Sequence, residues 1–123
     1  MPKRILIVDD ERDIAMLLHH QIEQSGYEIE EIHSGSEALT RIFRGGFDLV
    51  LLDHAMKDIK GDRICLLIRA DDRFRALPII IITGHIEIEE RVFKEYGANL
   101  VFYKPIESGE LIAAIKKCLR ETS

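Results

Sequence analysis

The sequence of 123 residues contains no tryptophan, two cysteines and three prolines. Cys65 and Cys118 stand far apart, with no C-x-x-C partner and no histidine companion. Such spacing builds neither a disulfide framework nor a zinc site, so both are expected to pack against helices as thiols in a reducing compartment. No apolar run approaches the ~20 residues of a membrane-spanning helix. The opening "MPKRILIV" sets basic residues before an apolar stretch, but acids follow too soon for a signal peptide. The chain is therefore expected to stay in the cytoplasm. An excess of positive charge is lacking too: 17 Lys and Arg stand against 22 Asp and Glu, for a net charge of −5. That balance argues against non-specific binding to nucleic acid or to an anionic membrane.

What the chain does have is 46% apolar and 32% charged residues, the balance of a globular domain. Its length suits one domain over residues 1–123 with a substantial core. "RILIV", "FDLVLLD" and "PIIIIT" read as strands buried on both faces. "EIEEI" alternates polar and apolar residues, as a half-exposed edge strand does, and "NLVFY" supplies the last strand. Between the strands lie helical patterns. Ile14, Leu17, Leu18 and Ile22 are expected to face inward from the first helix, which Ser25-Gly26 closes. Ser34 and Glu37 form a capping-box pattern ahead of Ala38, Leu39, Ile42 and Phe43, and Gly45-Gly46 ends that helix. Ile64, Leu67 and Ile68 are expected inward from the third helix. A charged fourth helix stops at Gly97, and Leu111, Ile112, Ile115 and Leu119 face the core from the fifth. Strand and helix alternating five times predict a parallel sheet covered by helices on both faces, with right-handed crossovers.

In open parallel sheets, ligands bind beyond the carboxyl ends of the strands, where the strand order reverses. That rim receives Asp9 and Asp10 after the first strand, Asp53 after the third, Thr83 after the fourth and Lys104-Pro105 after the fifth. With the second strand at the edge, the order 2-1-3-4-5 brings three carboxylates, a hydroxyl and an ammonium together. Taken singly, an Asp after a strand is a helix cap or turn residue, and a Thr at a strand end reflects β-propensity. The combination carries the inference. Clustered carboxylates repel, and a hard divalent cation such as Mg²⁺ offsets that repulsion. There is no G-x-G-x-x-G and no G-x-x-x-x-G-K-[ST], and no phosphate loop of the flavin-binding kind stands where "DDERD" does. No Ser-His-Asp or Cys-His arrangement stands out. The five histidines share no metal-ligand spacing and are expected to face solvent.

The order and spacing of "ILIVDDE", "GSEAL", "DLVLLD", Gly61, "PIIIITG", "GAN…YKP" and "ELIAAIKKCL" resemble the receiver domain of two-component response regulators over essentially the whole chain. The resemblance implies a flavodoxin-like (CheY-like) α/β fold with a five-stranded parallel sheet in the order 2-1-3-4-5 and about five helices. It implies that Asp53 accepts a phosphoryl group from a sensor histidine kinase, a phosphotransfer protein or a small phosphodonor. Asp9 and Asp10 would hold Mg²⁺ with Asp53 and the backbone carbonyl of Ala55. Lys104 would pair with the phosphoryl oxygens, Thr83 would swing to hydrogen-bond one of them, and Pro105 would follow a cis peptide. The domain would be a regulatory phospho-acceptor rather than an enzyme, catalysing only its own phosphoryl transfer and dephosphorylation. Its partners would be an output domain or target protein, with no direct contact to nucleic acid or membrane. A homodimer through the face of the fourth helix, fifth strand and fifth helix is common in the family.

Three departures from the family pattern matter. Val101 stands where an aromatic is frequent, which leaves Tyr103 as the aromatic on that face of the strand. Lys57 replaces a frequent proline. Ala55 and His85 occupy positions that tune the lifetime of the phosphate, and His85 and Lys57 are expected to slow its loss. Two other readings compete: a receiver-like interaction module that never uses its phosphosite, and a Mg²⁺-dependent phosphohydrolase. The full acid set with Thr83 and Lys104 counts against the first. The absence of a D-x-D strand end and of a cap insertion counts against the second. The chain reads either as a stand-alone receiver or as the front of a longer regulator.

Overall fold

A computed structural model describes residues 2–120. Its five strands are β1 (Arg4–Val8), β2 (Glu28–Ile32), β3 (Leu49–Asp53), β4 (Ile79–Thr83) and β5 (Leu100–Tyr103). They alternate with helices α1 (Arg12–Glu23), α2 (Gly35–Phe43), α3 (Gly61–Arg69), α4 (Glu90–Glu95) and α5 (Ser108–Cys118), and a 3₁₀ turn covers Asp72–Phe74. All pairings are parallel, as the alternating pattern predicts, and the order is β2-β1-β3-β4-β5, as the family resemblance implies.

β3 and β4 are buried along their whole length because helices cover both faces, and continuous Leu, Val and Ile suit that environment. Successive side chains point to opposite faces, so two cores form. Leu6, Val8, Val50, Leu52, Ile79 and Ile81 meet residues of α2, α3 and α4 on one face. Ile5, Ile7, Leu49, Leu51, Ile80 and Ile82 meet α1 and α5 on the other. Val101 packs on the first face, and Leu100 and Phe102 on the second.

Local signals account for several boundaries. The Ser34 hydroxyl accepts the Glu37 amide at 3.2 Å and caps α2. Gly26 and Gly97 adopt φ of +95° and +111° just past α1 and α4, in the left-handed region that only glycine enters at little cost. Two inward assignments are corrected. Leu17 and Leu67 are exposed, at 57% and 39%. Ala15 and Cys65, fully buried, take the sheet-facing places. Helix spacing alone leaves such neighbours ambiguous, and a small side chain lets the helix sit closer to the sheet. α3 and α4 are also shorter than their sequence patterns. Cys65 and Cys118 are free thiols, and burial pushes that of Cys65 up to about 11. No helix among the described residues is long and apolar enough to cross a membrane.

Candidate functional site

The site lies at the carboxyl ends of β1, β3, β4 and β5, where the chain leaves the sheet at its reversal of strand order. Backbone bonds carry the sheet registry one step beyond its strands. Asp9 N donates to Ile32 O at 3.1 Å, His54 N to Ile82 O at 2.9 Å, and Lys104 N to Thr83 O at 2.8 Å. Side chains on these residues are therefore aimed by the sheet rather than by loops.

Asp9, Asp10 and Asp53 each present a carboxylate oxygen within 4.8 Å of the others. Asp9 and Asp53 are buried, at 1% and 2% exposure. Asp9 Oδ1 accepts the Glu11 amide at 2.9 Å, and Asp10 Oδ2 accepts the Lys57 amide at 2.9 Å. Asp9 Oδ2 and Asp53 Oδ2 have no hydrogen-bond partner. Lys104 Nζ lies 3.5 Å from Asp53 Oδ1 and 3.9 Å from Glu11 Oε1. Burial raises the Asp9 pKa to about 6, with the Asp53 charge adding to the rise and the Glu11 amide and Lys104 opposing it. Burial also raises that of Asp53, against the pull of Lys104 and the Ala55 amide.

One ammonium cannot balance three carboxylates, and two buried oxygens lack donors. A hard cation with oxygen ligands satisfies both conditions, so the donor set fits Mg²⁺. Gly61 keeps this geometry tight. A Cβ there would stand 2.6 Å from Asp53 O and 2.8 Å from His54 Cα, distances that only glycine permits. The peptide before Pro105 is cis, as expected.

Thr83 behaves differently from the other four residues. Its side chain is fully buried, and its hydroxyl is engaged by His85 and His54 rather than by the carboxylates. The hydroxyl accepts the His85 amide at 3.0 Å and lies 3.5 Å from His54 Nδ1.

The expectation of solvent-facing histidines is corrected at His54, which is 8% exposed. Its ring packs edge-on against Phe93 at 4.9 Å and against His85 at 5.4 Å, and Nε2 lies 3.6 Å from Asp62 Oδ2. Burial lowers its pKa. The sequence carries one signal for this: His54 directly continues a strand buried on both faces, two residues before the buried Met56. His33 is half-buried as well, with Nδ1 donating to Asp9 O at 2.9 Å behind the acid pair. His85 is half exposed and faces Glu87, and Lys57 is exposed. The Tyr103 hydroxyl donates to Ile88 O at 2.6 Å, tying β5 to the loop before α4.

Comparison with known proteins agrees with this arrangement. The model of the response regulator receiver domain matches residues 5–116. The transcriptional regulatory protein YkoG of Bacillus subtilis is 36% identical over 118 residues, covering 95% of this chain and 51% of that protein. ResD of the same organism is 36% identical over 121 residues, covering 98% and 49%. The chain thus spans about half the length of the curated relatives it matches. A response regulator from Chloroflexus aurantiacus superposes with a TM-score of 0.93 at 32% identity, covering 98% of this chain and 100% of that one. TrrA of Thermotoga maritima, solved in complex with Mg²⁺-BeF, gives 0.85 at 34% identity, covering 94% and 98%. The matched span contains every strand end of the acidic rim. This chain belongs to the response regulator receiver domain family of two-component systems.

Proposed function

We propose that this receiver domain is a phosphorylation-controlled switch in a two-component phosphorelay, with Asp53 as phospho-acceptor and Mg²⁺ as cofactor. The observation that carries the reading is the convergence of Asp9, Asp10 and Asp53 within 4.8 Å, with Lys104 3.5 Å from Asp53. The Mg²⁺-BeF complex of the related TrrA supports the same cofactor.

Asp9 and Asp10 would hold the metal, with Asp53 and the Ala55 carbonyl completing the protein ligands. When bound, Mg²⁺ supplies charge neutralisation that lets an anionic phosphoryl group approach a carboxylate. An Asp53 oxygen attacks phosphorus as the bond to the donor's imidazole nitrogen breaks, and that nitrogen keeps the bonding electrons. Lys104, already beside Asp53, pairs with the phosphoryl oxygens. Thr83 reorients to donate its hydroxyl proton to one of them. The turnover is limited to the domain's own phosphorylation and dephosphorylation.

Phosphorylation adds charge and acceptor oxygens at the rim, and the response spreads from Thr83 through the loop before α4. The Tyr103–Ile88 hydrogen bond joins β5 to that loop, so Tyr103 is the side chain that senses its movement in place of an aromatic at Val101. The changed surface comprises α4, β5 and α5, where a second copy, an output domain or a separate target protein would dock. The protein works in the cytoplasm and takes its phosphoryl group from a sensor histidine kinase or phosphotransfer protein. Residues 1–123 would make up one receiver domain.

The test is incubation with acetyl phosphate or phosphoramidate and Mg²⁺, read by intact mass. One phosphoryl group should be added, EDTA should suppress it, and Asp53→Asn should abolish it. Undiminished labelling of Asp53→Asn would overturn the assignment.

A further inference from the structure

The buried Thr83 hydroxyl has a proton to place as well as lone pairs. The His85 amide, 3.0 Å away, occupies a lone pair. His54 Nδ1, at 3.5 Å, is the acceptor that the hydroxyl proton meets. Nδ1 can accept only when the ring proton sits on Nε2, and Nε2 faces the Asp62 carboxylate at 3.6 Å, which favours that tautomer. The ring has little freedom to turn away, being held edge-on between Phe93 of α4 and His85. Asp62 lies in the first turn of α3. A line of polar contacts thus runs from α3 through His54 to Thr83.

We propose that His54 is a positioning residue that holds the Thr83 hydroxyl in its resting orientation, so that Thr83 exchanges an imidazole acceptor for a phosphoryl oxygen on activation. The inference rests on the reading of Thr83 given above. It fixes a direction. Removing the imidazole acceptor strands a buried donor in the resting state and leaves the activated state untouched, so the equilibrium tilts toward activation. A separation of 3.5 Å is long for O–H···N, and the tilt is set at about two- to fivefold.

The experiment uses beryllofluoride with Mg²⁺ as the phosphoryl mimic and follows the Thr83 methyl resonance by NMR near neutral pH. His54→Leu should bind beryllofluoride about two- to fivefold more tightly, at unchanged Mg²⁺ affinity. Its Thr83 methyl should already lie shifted toward the activated position before beryllofluoride is added. His54→Asn, whose Oδ1 replaces Nδ1 as acceptor, should restore both properties, which a purely packing role would not do. His54→Met provides a second apolar variant should Leu not fold. In the unsubstituted protein, the ring ¹⁵N shifts should place the His54 proton on Nε2. A proton on Nδ1, or apolar variants matching the parent in affinity and methyl position, overturns the proposal. So do Leu and Asn variants that change alike. If the parent's Thr83 methyl does not move with beryllofluoride, the reading of Thr83 as a switch falls, and this proposal falls with it. If it moves and the variants do not differ, this proposal alone falls.

Discussion

Lys104 Nζ stands 3.5 Å from Asp53 Oδ1, whereas no bond joins it to Asp9 or Asp10 among the described residues. The ammonium thus pairs with Asp53 and not with the acid pair, and the two should separate functionally. Asp10→Asn is expected to weaken Mg²⁺ binding by about tenfold or more. Lys104→Ala should keep Mg²⁺ bound but lose the response to phosphoryl transfer. Isothermal titration with Mg²⁺, paired with beryllofluoride-induced shifts, reads both. Equal loss of Mg²⁺ affinity in the two variants would reverse these roles.

The raised pKa of Asp9 has a signed effect on stability. Between its ordinary value of 3.8 and its folded value of about 6, the folded state holds a proton that the unfolded chain has released. Metal-free protein should therefore lose about 2–3 kcal/mol from this group as pH rises through that window. Mg²⁺ should restore the loss above pH 6, and Asp9→Asn should flatten the slope. Urea denaturation in EDTA from pH 4 to 7, with the variant as baseline, measures it. A metal-free protein whose stability relative to the variant rises across the window would contradict the assignment.

Gly61 lies against the backbone of Asp53 and His54. Gly61→Ala should cost about 1–3 kcal/mol, because backbone rather than a flexible side chain must give way. The displacement falls on Asp53, so phosphorylation by acetyl phosphate should slow as well. Unchanged stability and rate would show that the β3–α3 junction is looser than described.

If Asp53 is the phospho-acceptor, His85 and Lys57, two residues past Thr83 and four past Asp53, would crowd the path of the attacking water. His85 presents a half-exposed ring beside His54, and the Lys57 amide anchors Asp10 while its side chain remains exposed. His85→Ala should speed loss of the phosphoryl group by opening that path, and Lys57→Ala should do so less. Radiolabelled phosphate release gives the lifetimes. Identical lifetimes in all three proteins would end the idea.

The Tyr103–Ile88 bond makes a transmission test possible. On activation the Tyr103 ring resonances should shift, and Tyr103→Phe should blunt partner binding while sparing Asp53 phosphorylation. A ring that keeps one environment in both states would leave the backbone alone to carry the change.

Strand ends were the most legible part of the sequence. Asp9, Asp53, Thr83 and Lys104 each follow an apolar run whose direction is fixed by its sheet, so chain order implied their convergence. The helix faces were less legible. Leu17 is as apolar as Leu18, yet only one of them can point at a sheet when Ala15 sets the approach. His54 was hidden for another reason. A polar residue after a strand-ending Asp looks like loop, and only the contacts of its two nitrogens and ring faces, all supplied by residues distant in sequence, make burial tolerable. The orientation of Thr83 depends on those same contacts and could not be read before them.

β2 presents Glu28, Glu30 and Glu31 along the open edge of the sheet, with Arg4 and Arg41 close to Glu30. A second strand laid along that edge would bring carboxylates of two molecules into line, and their repulsion opposes the hydrogen bonds it would gain. Charge thus protects this edge from pairing with a second sheet, a task that backbone geometry alone does not perform.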